Sequence, residues 1–255
     1  MLPVQRKQTI MDHLGQHGAV SIAGLSELLN VSEMTVRRDL KLLEEEGRIR
    51  RTHGGAVYHT AAAEPPFEEK KDRHLDVKHR LARYAAEHFV KPDSVILMEG
   101  GTTVTCMAGF LHHVGGLTVV TNGLNTLDAL KGHAPATSVV CCGGMLRDRS
   151  YTFVGPLAEQ FFQGIHAHCA FFSASGLTIG QGFADPNMLE VQVKKAMGRA
   201  AQTRIMLIDS SKFGNLALLT TFAVHEIDVV VTDRAAPADL LGQLREAGVD
   251  VRLAD

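Results

Sequence analysis

The chain of 255 residues has no large excess of charge of either sign, few cysteines and no long apolar run. A strongly basic composition would announce a nucleic-acid partner. The formal net charge here is −2, so DNA binding would have to come from where the cations are placed. Four cysteines, two of them adjacent at Cys141 and Cys142, give no disulfide framework, and a reducing cytoplasm fits them best. No apolar run approaches about 18 residues, so no membrane span is expected. Residues 1–20 read as a helix with charges inside it, not as the apolar core of a signal peptide. Repeats and low-complexity tracts are also missing. The 13 histidines include His166, His168 and the pair His112-His113, but no second pair at zinc-ligand spacing accompanies them. They read as surface or loop residues, and no metal or other cofactor is expected. What remains is ordinary globular composition, 45% hydrophobic and 21% charged, long enough for a small module plus one larger domain with a full core.

The run Val31-Ser32-Glu33-Met34-Thr35-Val36-Arg37-Arg38-Asp39-Leu40 carries the most information. Ser32 suits a helix N-cap, and Val36, Leu40 and Leu43 then fall on one buried stripe. Met34, Thr35, Arg37, Arg38 and Lys41 occupy the other faces. Such a helix suits a DNA major groove, where Arg pairs with guanine edges or phosphates and Thr meets a thymine methyl or a phosphate. Upstream, Ser21 caps a short helix over 22–29, with Ile22, Leu25, Leu28 and Leu29 inward, and Asn30-Val31-Ser32 is a helix-turn-helix connection. A first helix covers 3–16 with Ile10, Met11 and Leu14 inward, and Gly15 and Gly18 lie near its end. Downstream, Gly47 suits a C-cap. Residues 48–58 then read as two short strands around a glycine turn, a wing whose Arg50 and Arg51 face the phosphate backbone. Residues 1–58 hold eight Lys or Arg against seven Asp or Glu, so only placement makes this module basic. The acidic run Glu44-Glu45-Glu46 is expected to face solvent, away from the groove. A weak net field calls for more than one copy on DNA, hence a dimer or higher oligomer.

These residues resemble the N-terminal domain of DeoR-type bacterial transcriptional regulators. The likeness rests on Val31-Ser32-x-x-Thr35-Val36-Arg37-Arg38-Asp39-Leu40 and on Arg51-Thr52-His53-Gly54-Gly55-Ala56. It implies Ser32, Thr35, Arg37, Arg38, Lys41, Arg50, Arg51 and His53 as the DNA-facing set.

Residues 59–74, with Pro65-Pro66 and mixed charges, read as a solvated linker between a module at 1–58 and a domain at 75–255. An amphipathic helix from Leu75 to Val90 opens that domain, with Leu81, Tyr84, Ala85 and Phe89 as its core side. Apolar runs follow at 94–98, 117–121, 138–142, 169–173, 204–209, 229–232 and 249–253, with helical segments at 103–112, 124–131, 186–201 and 237–247. Continuous apolar strands joined by helices predict a parallel sheet covered on both faces, an α/β fold of Rossmann-like kind.

Ligands of such sheets bind beyond the carboxyl ends of the strands. Those positions hold Glu99-Gly100-Gly101-Thr102-Thr103, Thr121-Asn122-Gly123, Gly143-Gly144 and Ser210-Ser211-Lys212. Glycines allow close approach, hydroxyls donate, and a helix start favours an anion. The set suits a phosphorylated polyol or sugar, with the phosphate on the turn 100–103 and Lys212 as a second contact. These landmarks, together with Asn187-Met188-Leu189-Glu190, Lys194 and Asp209-Ser210-Ser211-Lys212-Phe213-Gly214, resemble the DeoR-type sensor domain. That domain is related in fold to ribose-5-phosphate isomerase and the coenzyme A transferases. The resemblance implies a pocket for a sugar phosphate or related metabolite that alters DNA binding. Where the related isomerases carry an acidic pair, this chain has Ser173-Ala174-Ser175-Gly176, which argues against catalysis. Glu99, Asp185 and Asp209 remain as acids that bind hydroxyls or cap helices. Cys106 reads as a small buried residue. The reading is therefore a cytoplasmic, ligand-responsive repressor of a carbohydrate-use operon. The rival is an isomerase-like enzyme or metabolite-binding protein whose winged module binds another protein.

Overall fold

The structure, a computed structural model, describes residues 3–17, 19–45, 49–52, 54–58, 64–132 and 137–254. The chain forms two compact units, Met1–Ala63 and Glu64–Asp255.

The first unit runs α1 (Pro3–His17), β1 (Ala19–Ser21), α2 (Ile22–Leu29), α3 (Glu33–Glu45), β2 (Ile49–Thr52) and β3 (Gly55–Tyr58). Ser21 Oγ accepts the Gly24 amide at 3.0 Å and starts α2. Asn30, in the left-handed region at φ 50°, ends it. Ser32 Oγ accepts the Thr35 amide at 3.3 Å and starts α3. The predicted stripes pack together: Ile10, Leu14, Leu25, Val36, Leu40 and Leu43 are all buried. Leu28, expected inward, is instead 50% exposed, because Ile22, Leu25 and Leu29 already fill the inner face of so short a helix. The wing is the antiparallel pair β2–β3, and β1, which no periodicity signalled, adds a third strand beside β3. Gly55 permits that pairing, since a Cβ there would stand 1.8 Å from the Val20 carbonyl oxygen. The charged Asp39 is also buried within α3, where Arg6 of α1 grips it through Nε at 2.8 Å and Nη2 at 3.2 Å. Gly18, Gly47, Arg48 and His53 lie outside the described residues.

The second unit begins with α4 (Phe67–Asp72) and α5 (Leu75–Phe89). This differs from the reading of 59–74 as linker for residues 64–74, because Glu64 onward belongs to the second unit; residues 59–63 lie outside the described residues. Pro66 does not break structure here. It stands at the start of α4, where a missing amide costs nothing. Phe67 is buried edge-on to Tyr151 at 6.1 Å, and its amide donates to the Arg149 carbonyl at 2.8 Å.

The elements that follow are β4 (Val95–Met98), α6 (Thr102–Thr105), β5 (Leu117–Thr121), α7 (Leu124–Ala129), β6 (Thr137–Cys141), β7 (Met145–Arg147), β8 (Thr152–Val154) and α8 (Pro156–Phe162). Next come β9 (Ala167–Phe172), β10 (Gly176–Thr178), β11 (Gly182–Asp185), α9 (Met188–Arg199), β12 (Ala201–Leu207), β13 (Leu219–Phe222), β14 (Val229–Asp233), α10 (Ala238–Glu246) and β15 (Asp250–Ala254). The seven predicted strands form one parallel sheet in the order β15-β14-β12-β9-β4-β5-β6. Within each run alternate residues serve opposite cores. Leu97, Val120, Phe172 and Met206 pack with Phe162, Met197 and Leu244 on one face. Ile96, Met98, Val119 and Phe171 pack with Leu81 and Met107 on the other. The order reverses between β4 and β9, and such a reversal opens a crevice at the strand ends. Glu99 follows one of these strands and Ser173 the other.

Besides β1 and α4, three further features were not foreseen: the β7–β8 hairpin, α8, and a small antiparallel sheet β10-β11-β13. The expected helix at 103–112 is one α turn followed by a 3-10 turn at Cys106–Phe110, and the one expected at 186 starts at Met188 because Asn187 caps it. Among the described residues no helix is long and apolar enough to cross a membrane.

The packing sets a stability contrast within the first unit. Leu43→Ala empties a fully buried site and should cost about 2–5 kcal/mol, whereas Leu28→Ala should change stability by roughly 0.5 kcal/mol or less. Urea denaturation of the two variants checks this, and equal losses would contradict the burial described.

Candidate DNA-binding surface and sensor site

On α3 the buried Val36, Leu40 and Leu43 fix which side faces outward. Met34 (71% exposed), Arg37, Arg38 and Lys41 stand on the open faces, and Thr35 is half-buried. Arg37 lies 3.6 Å from Glu33 one turn away, an exposed pair that exchanges readily for a phosphate. The Ser32 and Thr35 hydroxyls bond each other at 3.0 Å, so Ser32 acts first as the cap. Arg51, expected on phosphates, is already held. Its Nε donates to Glu44 Oε2 at 2.6 Å and its amide to Glu44 Oε1 at 2.9 Å. Glu44 therefore does not simply face solvent; it fastens the wing to α3. Arg50 is placed as a residue of β2.

The second unit holds a buried ionic cluster at the reversal of strand order. Lys194 of α9 donates to Asp185 Oδ2 at 2.8 Å and to the Ser173 carbonyl at 2.8 Å, and lies 3.4 Å from Glu99 Oε1. Ser173 donates its amide and hydroxyl to Glu99 Oε2 at 3.2 and 3.1 Å, and Ser175 donates both to Asp185 Oδ1 at 3.1 Å. Thr221 completes Asp185 at 2.8 Å. Burial pushes the Glu99 carboxyl above its ordinary range, with Lys194 opposing. Burial works the same way on Asp185, but Lys194 and the hydrogen bonds win and hold it low. Burial alone would lower Lys194, yet Asp185, Glu99 and Glu190 together raise it.

Several candidate effector residues prove to be internal. Glu99 belongs to the ionic cluster. Thr121 is fully buried, donating to the Met98 carbonyl at 2.7 Å and accepting the Gly123 amide at 2.9 Å. The Asn122 side chain accepts the Gly100 amide at 3.0 Å, so one donor expected for phosphate is already used. Gly101 is required for the protein's own packing, since a Cβ would stand 2.2 Å from Ser173 Oγ. Thr103 is buried. Gly101, Thr102, Gly143, Gly144 and Lys212 retain exposed surface. Gly143 and Gly144 take positive φ, 67° and 111°, as the turn after β6 requires. Asp209 caps the 3-10 turn Ser210–Lys212 by accepting the Ser211 amide at 3.0 Å.

Sequence reasoning quoted Lys194 and Glu190 only as landmarks and missed their work. Glu190 accepts from Thr152 Oγ1 at 2.8 Å and Arg147 Nη1 at 3.1 Å, and Arg147 also pairs with the buried Glu64. Charged residues inside an amphipathic helix pattern look like surface, so no periodicity could have revealed them. Lys78 was missed for the same reason and is buried in the first turn of α5. Cys106 bonds the Thr102 carbonyl at 3.2 Å, and burial raises its pKa, which makes it a poor nucleophile. His168 accepts the Val95 amide at 3.0 Å. No metal-binding cluster occurs among the described residues.

Lys194 should be the largest single electrostatic contributor to the second unit. Lys194→Met strands two buried carboxylates and should cost about 3–5 kcal/mol near neutral pH. The loss should shrink at acid pH as the carboxylates take up protons. In the wild type Lys194 is raised above its ordinary 10.5, so its contribution is present below that pH and lost as pH rises through the folded value. Asp185, held below 3.8, contributes above that pH and loses its contribution as pH falls through the folded value. Unfolding midpoints of both proteins across pH test this, and a penalty independent of pH would refute it.

Residues 73–234 match the family described as the DeoR C terminal sensor domain, and residues 6–62 the DeoR-like helix-turn-helix domain. The HTH-type transcriptional regulator GolR of Listeria innocua serovar 6a is 32% identical over 256 residues, covering 100% of this chain and 100% of that protein. The HTH-type transcriptional regulator GlpR of Haloferax volcanii is 32% identical over 252 residues, covering 98% of each. Among solved structures, ribose 5-phosphate isomerase from Plasmodium falciparum is similar at TM-score 0.39 and 12% identity, covering 54% of this chain and 52% of that one. The full-length relatives are named as transcriptional regulators, and of the three acids left near the strand ends, Glu99 and Asp185 are fastened to Lys194 and Asp209 caps a 3-10 turn. The chain belongs to the DeoR-type transcriptional regulators, DNA-binding proteins in which a helix-turn-helix domain is joined to a sensor domain.

Proposed function

We propose that this regulator is a cytoplasmic repressor of a carbohydrate-use operon whose operator binding is altered by a phosphorylated sugar or related metabolite. What carries the DNA half is the face of α3 on which Arg37, Arg38 and Lys41 stand opposite the buried Val36, Leu40 and Leu43. Arg38 is assigned to base edges, Arg37 to base edges or phosphates, and Arg50 and Arg51 to phosphates once Arg51 exchanges Glu44 for DNA. A module so nearly neutral needs several copies for tight binding, so the working form is a homo-oligomer, most simply a two-fold dimer. The sensor half rests on the reversal of strand order between β4 and β9, where Thr102 keeps exposed surface at the start of α6; Lys212, in the turn after β12, the strand next to β9, keeps exposed surface too. There an effector phosphate meets hydroxyl and ammonium donors.

Two measurements test the two halves. The Arg37→Ala, Arg38→Ala double variant should lose about 1–3 kcal/mol of operator affinity for each base contact removed, with relaxed sequence preference. Unchanged affinity would end the assignment. Operator binding titrated with sugar phosphates should show Thr102→Val and Lys212→Ala still binding DNA while requiring more effector. If both respond at the wild-type effector concentration, the phosphate sits elsewhere.

A further inference from the structure

Two adjacent thiols stand at an outer edge of the large sheet. Cys141 ends β6, an edge strand, and is half-buried. Cys142, the next residue, is 8% exposed and packs into one of the two cores. Neither belongs to a disulfide. The turn that follows is held on both sides. Gly143 and Gly144 take positive φ, and a Cβ on Gly144 would stand 2.8 Å from the Val154 carbonyl oxygen and 3.2 Å from Ala158. Within this turn the thiol hydrogen of Cys142 has two acceptors, the Gly143 carbonyl at 3.3 Å and the Cys141 sulfur, to which the Gly143 amide also donates. The Cys142 thiol, and after it the turn amides, hold the Cys141 thiol below its ordinary range against the opposing effect of burial. Cys142, as the donor of that bond and by its burial, is pushed up. One sulfur is thus a thiolate on the open side of the strand, and its neighbour is a thiol with a proton to give. Cys106 and Cys169 differ on each count. They lie against the other core, donate to the Thr102 and Phe89 carbonyls at 3.2 and 3.6 Å, and are raised by burial.

We propose that Cys141 and Cys142 form a modification site at which a hydroperoxide oxidises the pair to an internal disulfide, and that closing this bond disturbs the strand ends beside it. The site is independent of which effector the crevice takes. The Cys141 thiolate attacks one peroxide oxygen. The O–O bond breaks, the sulfur becomes a sulfenic acid, and the reduced oxygen leaves as hydroxide or alkoxide. The Cys142 sulfur then attacks the Cys141 sulfur. The S–S bond forms as the S–O bond breaks, and the hydroxyl leaves as water with the Cys142 proton. The two sulfurs together lose two electrons, and the peroxide takes them up. Closure constrains the backbone, because Cα atoms across a trans peptide are about 3.8 Å apart whereas disulfides ordinarily span about 4.4–6.8 Å. The peptide that joins the two residues must therefore twist. Its N–H is the one that donates to the Thr121 carbonyl at 3.1 Å and holds the end of β6 to β5. Asn122, the next residue after Thr121, accepts the Gly100 amide at 3.0 Å. Oxidation at the sheet edge thereby reaches the turn that borders the crevice.

The experiment treats the full-length protein with hydrogen peroxide and counts its remaining thiols by alkylation and mass spectrometry. The alkylated thiols should fall from four to two, the peptide that contains both Cys141 and Cys142 should become two hydrogens lighter, and dithiothreitol should reverse the change. Cys106 and Cys169 should be oxidised at least about tenfold more slowly. Cys142→Ser should stop at a Cys141 sulfenic acid that dimedone traps, and Cys141→Ser should keep all its remaining thiols at the same dose. Hydrogen exchange over 121–123 and at Cys142 should be faster in the oxidised protein and return on reduction. Four intact thiols, oxidation of Cys106 or Cys169 at an equal rate, or a bridge between two chains on a non-reducing gel would overturn the site. A 141–142 disulfide that leaves exchange over 121–123 unchanged would overturn its effect on the strand ends. The wild-type mass and exchange measurements decide both points even if Cys142→Ser fails to fold.

Discussion

The carboxyl edge of the large sheet depends on one buried ammonium. Lys194 reaches from α9 to Asp185 at the end of β11, to Glu99 after β4 and to the Ser173 carbonyl after β9. A charge removed from water at a cost of several kcal/mol is tolerable only when every one of these partners is in place. The same contacts therefore fix the two strand ends between which the sheet order reverses. Gly101 follows as a necessity, since Ser173 and the Glu99 carboxylate occupy the space a side chain would need. The residues beneath the crevice are thus committed to one another. Thr102 and Lys212, by contrast, keep exposed surface.

The DNA-binding unit uses charge pairs to the same end on a smaller scale. Arg6 holds Asp39 and so ties α1 to the buried side of α3, while Glu44 holds both the main chain and the side chain of Arg51 and ties α3 to the wing. Arg37 pairs with the exposed Glu33 a turn away, and exchange of such a pair for a phosphate costs little. A unit with almost no net charge can still present a basic face, because Asp39 and Glu44 are turned to local tasks.

Between the crevice and the start of the second unit runs a continuous set of contacts. Glu64 pairs with Arg147, Arg147 with Glu190, and Glu190 with Thr152, whose methyl lies against Gly100 at the crevice. The β7–β8 hairpin that carries Arg147 and Thr152 is joined to the β5–α7 turn by the Phe153 amide on the Asn122 carbonyl at 2.7 Å. Lys78 reaches the same segment from the other side through the α4 carbonyls. The segment 64–72 is therefore part of the sensor domain's packing and not a tether.

Periodicity and punctuation in the sequence determined much of this protein. Stripes such as Val36, Leu40 and Leu43, caps at Ser21 and Ser32, and seven apolar runs specify a winged helix-turn-helix and a parallel sheet, because each is a local pattern with a local cause. The short strands β1, β7, β8, β10, β11 and β13 escaped notice, since three or four residues display no period and gain their stability from the strand they pair with. Polar residues were misjudged for a related reason. Asn122 and Thr121 look like ligand-binding groups in sequence, and only the fold brings the Gly100 amide and the Met98 carbonyl to them. Glu64 and Lys194 look like solvated charges, and only the fold buries them against partners distant in the chain, Glu64 against Arg147 and Lys194 against Glu99. Local sequence sets which element forms, but the pairing of a buried charge is a property of distant chain segments meeting, and only the tertiary structure decides it.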